Sequence, residues 1–282
     1  MKIGIIGQGI LGKTHKEYLL KNTDHEVLTY DINGDCNSTM EIISKQCEIV
    51  FVCVPTDTGK DGRLDMSIVE SVAKSLDKNS FFGSCIFRST LKVGTTRKMS
   101  VKYPLIHFYF IPEFLTERFA KDDFENPHRE LILGCVDRNQ IGIAAELRSK
   151  ISEGRILKGL VGITNAEECE MLKIATNSFY AMKVIFANEL KSICDNNKIS
   201  YGILKKMLVE DYRIGSSVED LSGKDVHLRV SQDGRSGYGG KCLPKDSLEF
   251  VNMAKNSGAG FGLMEKVIDI NNKIRCAKTV KK

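Results

Sequence analysis

The first twelve residues leave little choice of fold. Lys2–Ile6 is a short apolar strand that runs without a break into Gly7-Gln8-Gly9-Ile10-Leu11-Gly12, and a helical stretch, Lys13–Asn22, follows. Strand, G-x-G-x-x-G and helix in that order form a dinucleotide-binding fingerprint. The first glycine permits the tight turn, the second admits a pyrophosphate, and the third lets helix and strand pack closely. Ile10 and Leu11 open the helix, whose N-terminus offers N–H groups and the positive end of a dipole to an anion. A second strand, Glu26–Tyr30, ends at Asp31, nineteen residues beyond Gly12. A carboxylate there accepts hydrogen bonds from the adenosine ribose and repels a 2′-phosphate, which predicts NAD over NADP. The plainer reading is a tight turn with Asp31 capping a loop. Strand, glycines, helix, strand and acid in register argue for the ligand.

The same alternation continues. A helix is expected near Ser38–Lys45 and another over 66–77. The apolar run Glu48–Val54, stopped by Pro55, reads as a buried strand, and Phe81–Phe87, Leu105–Phe110, His128–Val136 and Arg155–Ile163 read as further strands. Near-continuous apolar strands alternating with helices predict a doubly wound parallel sheet of the Rossmann type over residues 1–164. Val54-Pro55-Thr56 would wall the cofactor crevice. Beyond residue 164 the character changes. Glu167–Asn196 is one long helical pattern without Gly or Pro, and Tyr201–Val209, Ser247–Asn256 and Gly262–Arg275 are helical too. Residues 165–282 are therefore expected to form a mainly α-helical second domain. The stripe of the long helix (Met171, Leu172, Ala175, Phe179, Met182, Ile185, Phe186, Leu190, Ile193) is wider than one small domain covers, and predicts a homodimer.

Composition narrows the class. In 282 residues, 42% are hydrophobic and 27% charged, the ordinary globular range. A formal charge of +5 without a dense basic run suits an anionic small molecule and gives no argument for nucleic acid. None of the nine cysteines stands at C-x-x-C spacing, so neither a zinc knuckle nor a redox pair is expected and no metal is predicted. They read as reduced thiols of a cytoplasmic protein. The apolar start breaks at Gly7, too early for a signal peptide, and no later run is long enough for a bilayer; a soluble protein is expected.

Three segments carry more chemistry than a fold requires. Pro112-Glu113-Phe114-Leu115-Thr116-Glu117 follows a strand and sets two carboxylates four residues apart. Lys173 and Asn177 share one helical face. Gly237-Tyr238-Gly239-Gly240-Lys241-Cys242-Leu243-Pro244-Lys245-Asp246 is a glycine-rich loop presenting a cysteine and then an acid. With Ser89-Thr90 to Thr96, Asn188-Glu189 and Asp211-Tyr212-Arg213-Ile214-Gly215, these residues resemble, in order and spacing, the UDP-glucose/GDP-mannose dehydrogenase family.

The resemblance implies a four-electron, NAD-dependent oxidation of the 6-hydroxyl of a nucleotide sugar to a carboxylate, with UDP-glucose the first expectation as substrate. The Cys242 thiolate would attack the intermediate aldehyde, and the thiohemiacetal would be oxidised to a thioester that water hydrolyses. Lys173 and Asn177 would hold the oxyanions. Asp246 would orient a water or take up a proton. Glu113 or Glu117 would be the base for hydrolysis, and Thr90 would hold water or cofactor. On the same resemblance the cofactor would touch Gly7, Gly9, Ile10, Leu11, Gly12, Asp31, Val54, Pro55, Thr56, Ser89, Thr90, Glu117 and Lys245. The sugar nucleotide would touch Glu113, Phe114, Leu115, Lys173, Asn177, Arg213, Tyr238, Gly239 and Cys242. An inert buried thiol is the alternative for Cys242, as assumed for the other eight cysteines, and a solvated pair is the alternative for Lys173 and Asn177.

Members of that family typically continue into a further nucleotide-gripping domain, whereas this sequence ends at Lys282. The nucleotide is then expected to be held by the first two domains and a partner subunit, or to be bound weakly. The segment from Asp31 to Val50 is shorter than usual for the family, and Ser217–Asp225 reads as an insertion. Three other readings stand beside the first: oxidation of GDP-mannose or a UDP-N-acetyl sugar, a two-electron dehydrogenase of a small hydroxy acid, and a non-catalytic NAD-binding protein. Cys242 argues against the hydroxy-acid enzyme, which needs no thiol.

Overall fold

A computed structural model describes residues 1–34, 36–115, 120–125, 133–136, 163–211, 214, 230–231, 234–258 and 262–276. The chain divides into two compact units, Met1–Asp57 with Leu64–Lys173, and Thr58–Arg63 with Ile174–Lys282.

The first unit is built on strands β1 (Lys2–Ile6), β2 (Glu26–Tyr30), β3 (Ile49–Val52), β4 (Ser84–Phe87), β5 (His107–Phe110), β6 (Leu133–Cys135) and β7 (Ile163–Asn165). They lie in the order β2-β1-β3-β4-β5-β6-β7. Pairs are parallel from β2 through β5, but β6 runs antiparallel to β5, with β7 parallel to β6. The expected doubly wound, Rossmann-type sheet is present, with an antiparallel pairing only at that edge. Of the expected strands His128–Val136 and Arg155–Ile163, most residues lie outside the described ones.

Both faces of the sheet are buried, as the apolar runs required. Val50, Val52, Cys85, Phe87, Phe108 and Phe110 enter one core; Ile49, Phe51, Ile86 and Tyr109 enter the other. This is the two-residue alternation of a strand, apolar on each face because helices cover both. Helices α1 (Ile10–Asn22), α2 (Met40–Gln46), α3 (Ser67–Lys78), α4 (Thr95–Lys102) and α5 (Ala120–Glu125) belong to this unit. The last two were not anticipated. After β2 the chain passes to the far side of β1 to form β3, so the strand order reverses at β1. Ligands of such sheets bind in the crevice outside the carboxyl ends at this point.

The long helix α6 (Ala166–Asn196) gives Ala166–Lys173 to the first unit and its remainder to the second. The second unit adds α7 (Tyr201–Val209), α8 (Leu243–Asn256) and α9 (Gly262–Cys276). Its core joins Ala181, Val184 and Ile185 of α6 to Val251 of α8 and Met264 and Val267 of α9, with Tyr238 from the glycine-rich loop. Ser200 caps α7, its hydroxyl accepting from the Ile203 N–H, and Pro244 stands in the first turn of α8, where its missing N–H costs nothing. Among the described residues no helix is long and apolar enough to cross a membrane.

Candidate functional site

In the first unit, the residues expected at a cofactor gather at the carboxyl ends of adjacent strands. Gly7 closes β1 with φ +95°, and a Cβ there would stand 2.4 Å from the Cys53 carbonyl oxygen at the end of β3. A Cβ on Gly12 would come within 1.9 Å of the Gly7 carbonyl oxygen, so helix and turn touch backbone to backbone. A Cβ on Gly9 would meet no atom within 4 Å. Of the three glycines, two are demanded by packing, while the third keeps the mouth of the turn open to an anion at the helix N-terminus. Asp31 ends β2 and braces this turn. Its Oδ2 accepts the Gln8 N–H at 2.6 Å and its Oδ1 the Asn33 N–H at 2.8 Å. The Gln8 and then the Asn33 amide hold its carboxyl below the ordinary aspartate value. Each oxygen keeps a lone pair for a ribose hydroxyl. Ser89, after β4, donates to the Val54 carbonyl at 2.6 Å, which ties the Val54–Thr56 wall to the segment carrying Thr90. These residues fit a dinucleotide.

The turn after β5 is organised by a residue the sequence reading passed over. Arg88 is buried and pairs through Nη2 with Glu113 Oε2. Glu113 Oε1 accepts the N–H groups of Phe114 and Leu115 at 2.8 and 3.0 Å. Both oxygens of Glu113 are thus engaged, which suits a carboxylate that shapes the turn better than one that takes a proton from water. Lys173, itself buried, places Nζ 5.3 Å from the centre of the Phe114 ring. The structure therefore brings Lys173, Glu113 and Phe114 together. Glu117, the other candidate base, and Arg213 lie outside the described residues, as does the expected insertion.

In the second unit Asp246 has no exposed surface. Its Oδ2 accepts Asn177 Nδ2 at 2.5 Å and its Oδ1 accepts Lys245 Nζ at 2.8 Å. Lys245, expected beside the cofactor, is here the counter-ion of Asp246. Cys242 is exposed and immediately precedes α8, as its N-cap. A helix N-terminus favours negative charge, so a thiolate or oxyanion formed there is at the favourable end.

The loop leading to Cys242 is held by two asparagines: Asn188, one of the residues that carry the family resemblance, and Asn271, which the sequence reading did not single out. Asn188 Oδ1 accepts the Gly237 N–H at 3.1 Å. Asn271 Oδ1 accepts the Tyr238 N–H at 2.7 Å, and its Nδ2 donates to the Tyr238 carbonyl at 3.2 Å. Gly237 is required: its φ is +80°, and a Cβ would stand 2.5 Å from Asn271 Oδ1. Tyr238, expected at the substrate, is 3% exposed and belongs to the core. Its side chain anchors the loop to that core.

All nine cysteines are free thiols. Cys47, Cys85, Cys135, Cys169 and Cys194 are buried, but Cys276 is exposed like Cys242, and Cys36 and Cys53 are intermediate. The expectation of eight buried thiols is corrected at Cys36 and Cys276; Cys53 is intermediate as a residue, but it packs against a core cluster and its thiol is shielded. Burial pushes Cys47 up to about 11, and Cys53 and Cys169 up to about 12, which makes them poor nucleophiles.

Residues 34–152 match the NAD binding domain of the UDP-glucose/GDP-mannose dehydrogenase family, and residues 167–273 match its central domain. The chain belongs to this family. It is 29% identical over 240 residues to the UDP-glucose 6-dehydrogenase TuaD of Bacillus subtilis, a match covering 81% of this chain and 47% of that protein. It is 29% identical over 260 residues to the UDP-glucose 6-dehydrogenase of Rhizobium meliloti, covering 88% and 56%. The chain thus spans about half the length of these curated relatives. Among solved structures, a UDP-glucose dehydrogenase from the archaeon Pyrobaculum islandicum superposes with a TM-score of 0.79 over 96% of this chain and 68% of its own, at 20% identity. That likeness speaks for the fold. The first unit carries an NAD-binding domain, and the family is one of NAD-dependent nucleotide-sugar dehydrogenases.

Proposed function

We propose that this chain oxidises the 6-hydroxyl of a nucleotide sugar to a carboxylate, with UDP-glucose as substrate and UDP-glucuronate as product. The observation that carries the reading is the combination of an exposed Cys242 at a helix N-terminus with a loop that two asparagines and an obligatory glycine hold in shape. A cysteine kept only for packing needs none of this. The curated relatives bearing the name UDP-glucose 6-dehydrogenase favour that sugar.

NAD, when bound, would supply the hydride acceptor, a fresh molecule for each of the two oxidations. Gly7–Gly12 and Asp31 would hold its adenosine half, and Val54–Thr56, Ser89 and Thr90 would border the rest. Cys242 attacks the aldehyde carbon through Sγ, forming a thiohemiacetal; loss of a second hydride leaves a thioester, which water cleaves to the acid and the free thiol. Lys173 and Asn177 steady the oxyanions, and Asp246, held by Lys245, positions Asn177 through their hydrogen bond. Glu113 shapes the substrate turn with Phe114 and Leu115, which leaves Glu117 as the base for hydrolysis. Arg213 contacts the sugar nucleotide.

The functional unit is proposed to be a cytoplasmic homodimer formed through the helical domain, taken as residues 165–282 after a Rossmann domain of residues 1–164. Phe179, Phe186 and Ile193 stand at seven-residue spacing on α6 and are 53%, 56% and 56% exposed. No side chain of α7 is buried. An apolar stripe of this kind gains by pairing with a second copy.

The test is to follow NADH with UDP-glucose and to count NADH per sugar consumed, with Cys242→Ser alongside. Two NADH per sugar, lost in the variant, is the expected result. Turnover only with GDP-mannose or a UDP-N-acetyl sugar would replace the substrate and keep the chemistry. NADH binding without turnover on any sugar nucleotide would remove the catalytic reading.

A further inference from the structure

Glu170 has no exposed surface, yet it lies outside every residue set assigned above. It stands on α6, and its carboxylate is spent on the beginning of α4. Oε2 accepts the Gly94 N–H at 2.6 Å; Oε1 accepts the Thr96 N–H at 2.9 Å and the Thr96 hydroxyl at 2.6 Å. An α-helix leaves its first N–H groups without intrahelical acceptors, and a residue at the N-cap normally supplies one. The N-cap of α4 is Gly94, which has no side chain to offer. The missing cap comes from Glu170, seventy-six positions further along the chain.

The segment that this cap closes is Arg88–Gly94, and it is fixed along its whole length. The Arg88 N–H reaches the Val52 carbonyl at 2.9 Å. Ser89 holds the Val54 carbonyl at 2.6 Å. Leu91 is wholly buried, and the Thr95 hydroxyl closes on the Lys92 carbonyl at 2.7 Å. Thr90 is carried between these anchors. At the other end of the link, Lys173 is three residues beyond Glu170, one helical turn on. One buried carboxylate therefore joins the loop bordering the cofactor to the helix that carries Lys173.

We propose that Glu170 is a positioning residue which, by capping α4, sets where the Thr90 segment stands against the Lys173 turn of α6. It touches neither cofactor nor substrate. Its removal displaces two groups that do: Thr90 at the nicotinamide side, and Lys173 at the reacting oxygen. The nearby Arg97–Glu167 pair joins the same two helices, but it is a surface pair, with Arg97 half-exposed, and such pairs contribute little. This role rests on the dehydrogenase reading above for its kinetic consequences, but the consequence for cofactor binding requires only the NAD-binding domain.

The full chain is compared with Glu170→Ala, Glu170→Gln, Thr96→Val and, as a control, Arg97→Ala. NADH binding is read from the enhancement of its own fluorescence, and kcat and KM are taken with NAD and UDP-glucose. Glu170→Ala is expected to weaken NADH binding at least fivefold and to lower kcat tenfold or more, with KM for the sugar within twofold. Thr96→Val, which removes one of the three bonds, is expected to give a smaller loss of the same pattern, and Glu170→Gln falls between them. Arg97→Ala is expected to match the wild type. If Glu170→Ala does not fold, Thr96→Val and Glu170→Gln carry the test. Folded variants that melt at a lower temperature but keep wild-type NADH affinity, kcat and KM would overturn the proposal and leave Glu170 a structural cap. If the wild type turns over no nucleotide sugar, the dehydrogenase reading fails by itself, and the NADH affinities still decide the role of Glu170.

Discussion

Asn177 donates its side-chain amide to Asp246 at 2.5 Å, and the carboxylate that accepts it has no exposed surface. Lys245 Nζ completes the arrangement at 2.8 Å on the other oxygen. Removing one member of a buried charged cluster leaves the rest without solvation, at a typical cost of about 3–5 kcal/mol. Asp246→Ala is therefore expected to lower the stability of the protein by about 3 kcal/mol in urea unfolding, and Asp246→Asn by less. A double-mutant cycle with Asn177→Ala should return a coupling of about 1 kcal/mol or more. Strict additivity would mean that the contact contributes nothing.

Asp31 braces the glycine turn through the Gln8 and Asn33 amides. Because its folded-state value is lowered, its contribution is fully present above the ordinary aspartate value near 4. It is lost as the pH falls through the lowered folded value. Cofactor binding is thus expected to hold across neutral pH and to fail only in strong acid. Asp31→Ala removes charge-assisted hydrogen bonds of about 1.5–3 kcal/mol, equivalent to a roughly ten- to hundredfold loss of NADH affinity, with a smaller loss for NADPH. Equal losses for the two cofactors would show that Asp31 braces the turn without reading the ribose.

Thiol chemistry separates the cysteines by place. Cys242 and Cys276 are exposed, whereas Cys47, Cys85 and Cys169 are buried and burial raises all three. Under native conditions a maleimide should label Cys242 and Cys276 first, as read by peptide mass spectrometry. UDP-glucose with NAD should protect Cys242 and leave Cys276 reactive. Protection of neither would place the substrate away from Cys242.

Much of the first unit was legible because its signals are local. The glycines, the strand alternation and Asp31 each declare themselves within a few residues, and the structure places them at the ends of β1, β2 and β3. The helix α4 was not legible for the opposite reason. Its sequence, Thr95 to Lys102, is polar, its N-cap is a glycine, and the carboxylate that caps it stands at position 170. Arg88 was hidden in the same way: next to Ser89-Thr90 it looks like a surface cation, and only the pairing with Glu113, twenty-five residues on, buries it. Asn188 and Asn271 sit inside ordinary helical patterns, and their purpose appears only when the glycine-rich loop lies across them. The antiparallel β6 escaped because strand direction depends on the connection, and apolar periodicity carries no sign. Tyr238 was read from its neighbours in the loop, while its ring follows the core of α6, α8 and α9.

The buried carboxyl of Glu170 gives the protein a pH dependence in an unusual direction. Burial pushes it from an ordinary 4.5 up to about 7, against the opposing pull of the Thr96 and Gly94 hydrogen bonds. Among the described residues, the charge of Glu167 on its own helix also raises it, and Glu167 is held ionised by its bond to Arg97 of α4. In the unfolded chain Glu170 loses its proton near 4.5, whereas in the folded chain it keeps it to about 7. Between those values the folded state binds the extra proton, so stability falls as the pH rises, by at most about 1.4 kcal/mol per pH unit for one group, and levels off above 7. The carboxyls with lowered values, Asp31, Glu41, Asp65, Glu167 and Asp269, act in the other direction and below this window. The measurement is urea unfolding of wild type and Glu170→Gln at half-unit steps from pH 5 to pH 8. The difference between the two curves is expected to slope through that range and become flat above it, because glutamine has no proton to lose. Parallel curves would show that Glu170 is already ionised at pH 5 and that its three hydrogen bonds outweigh its burial.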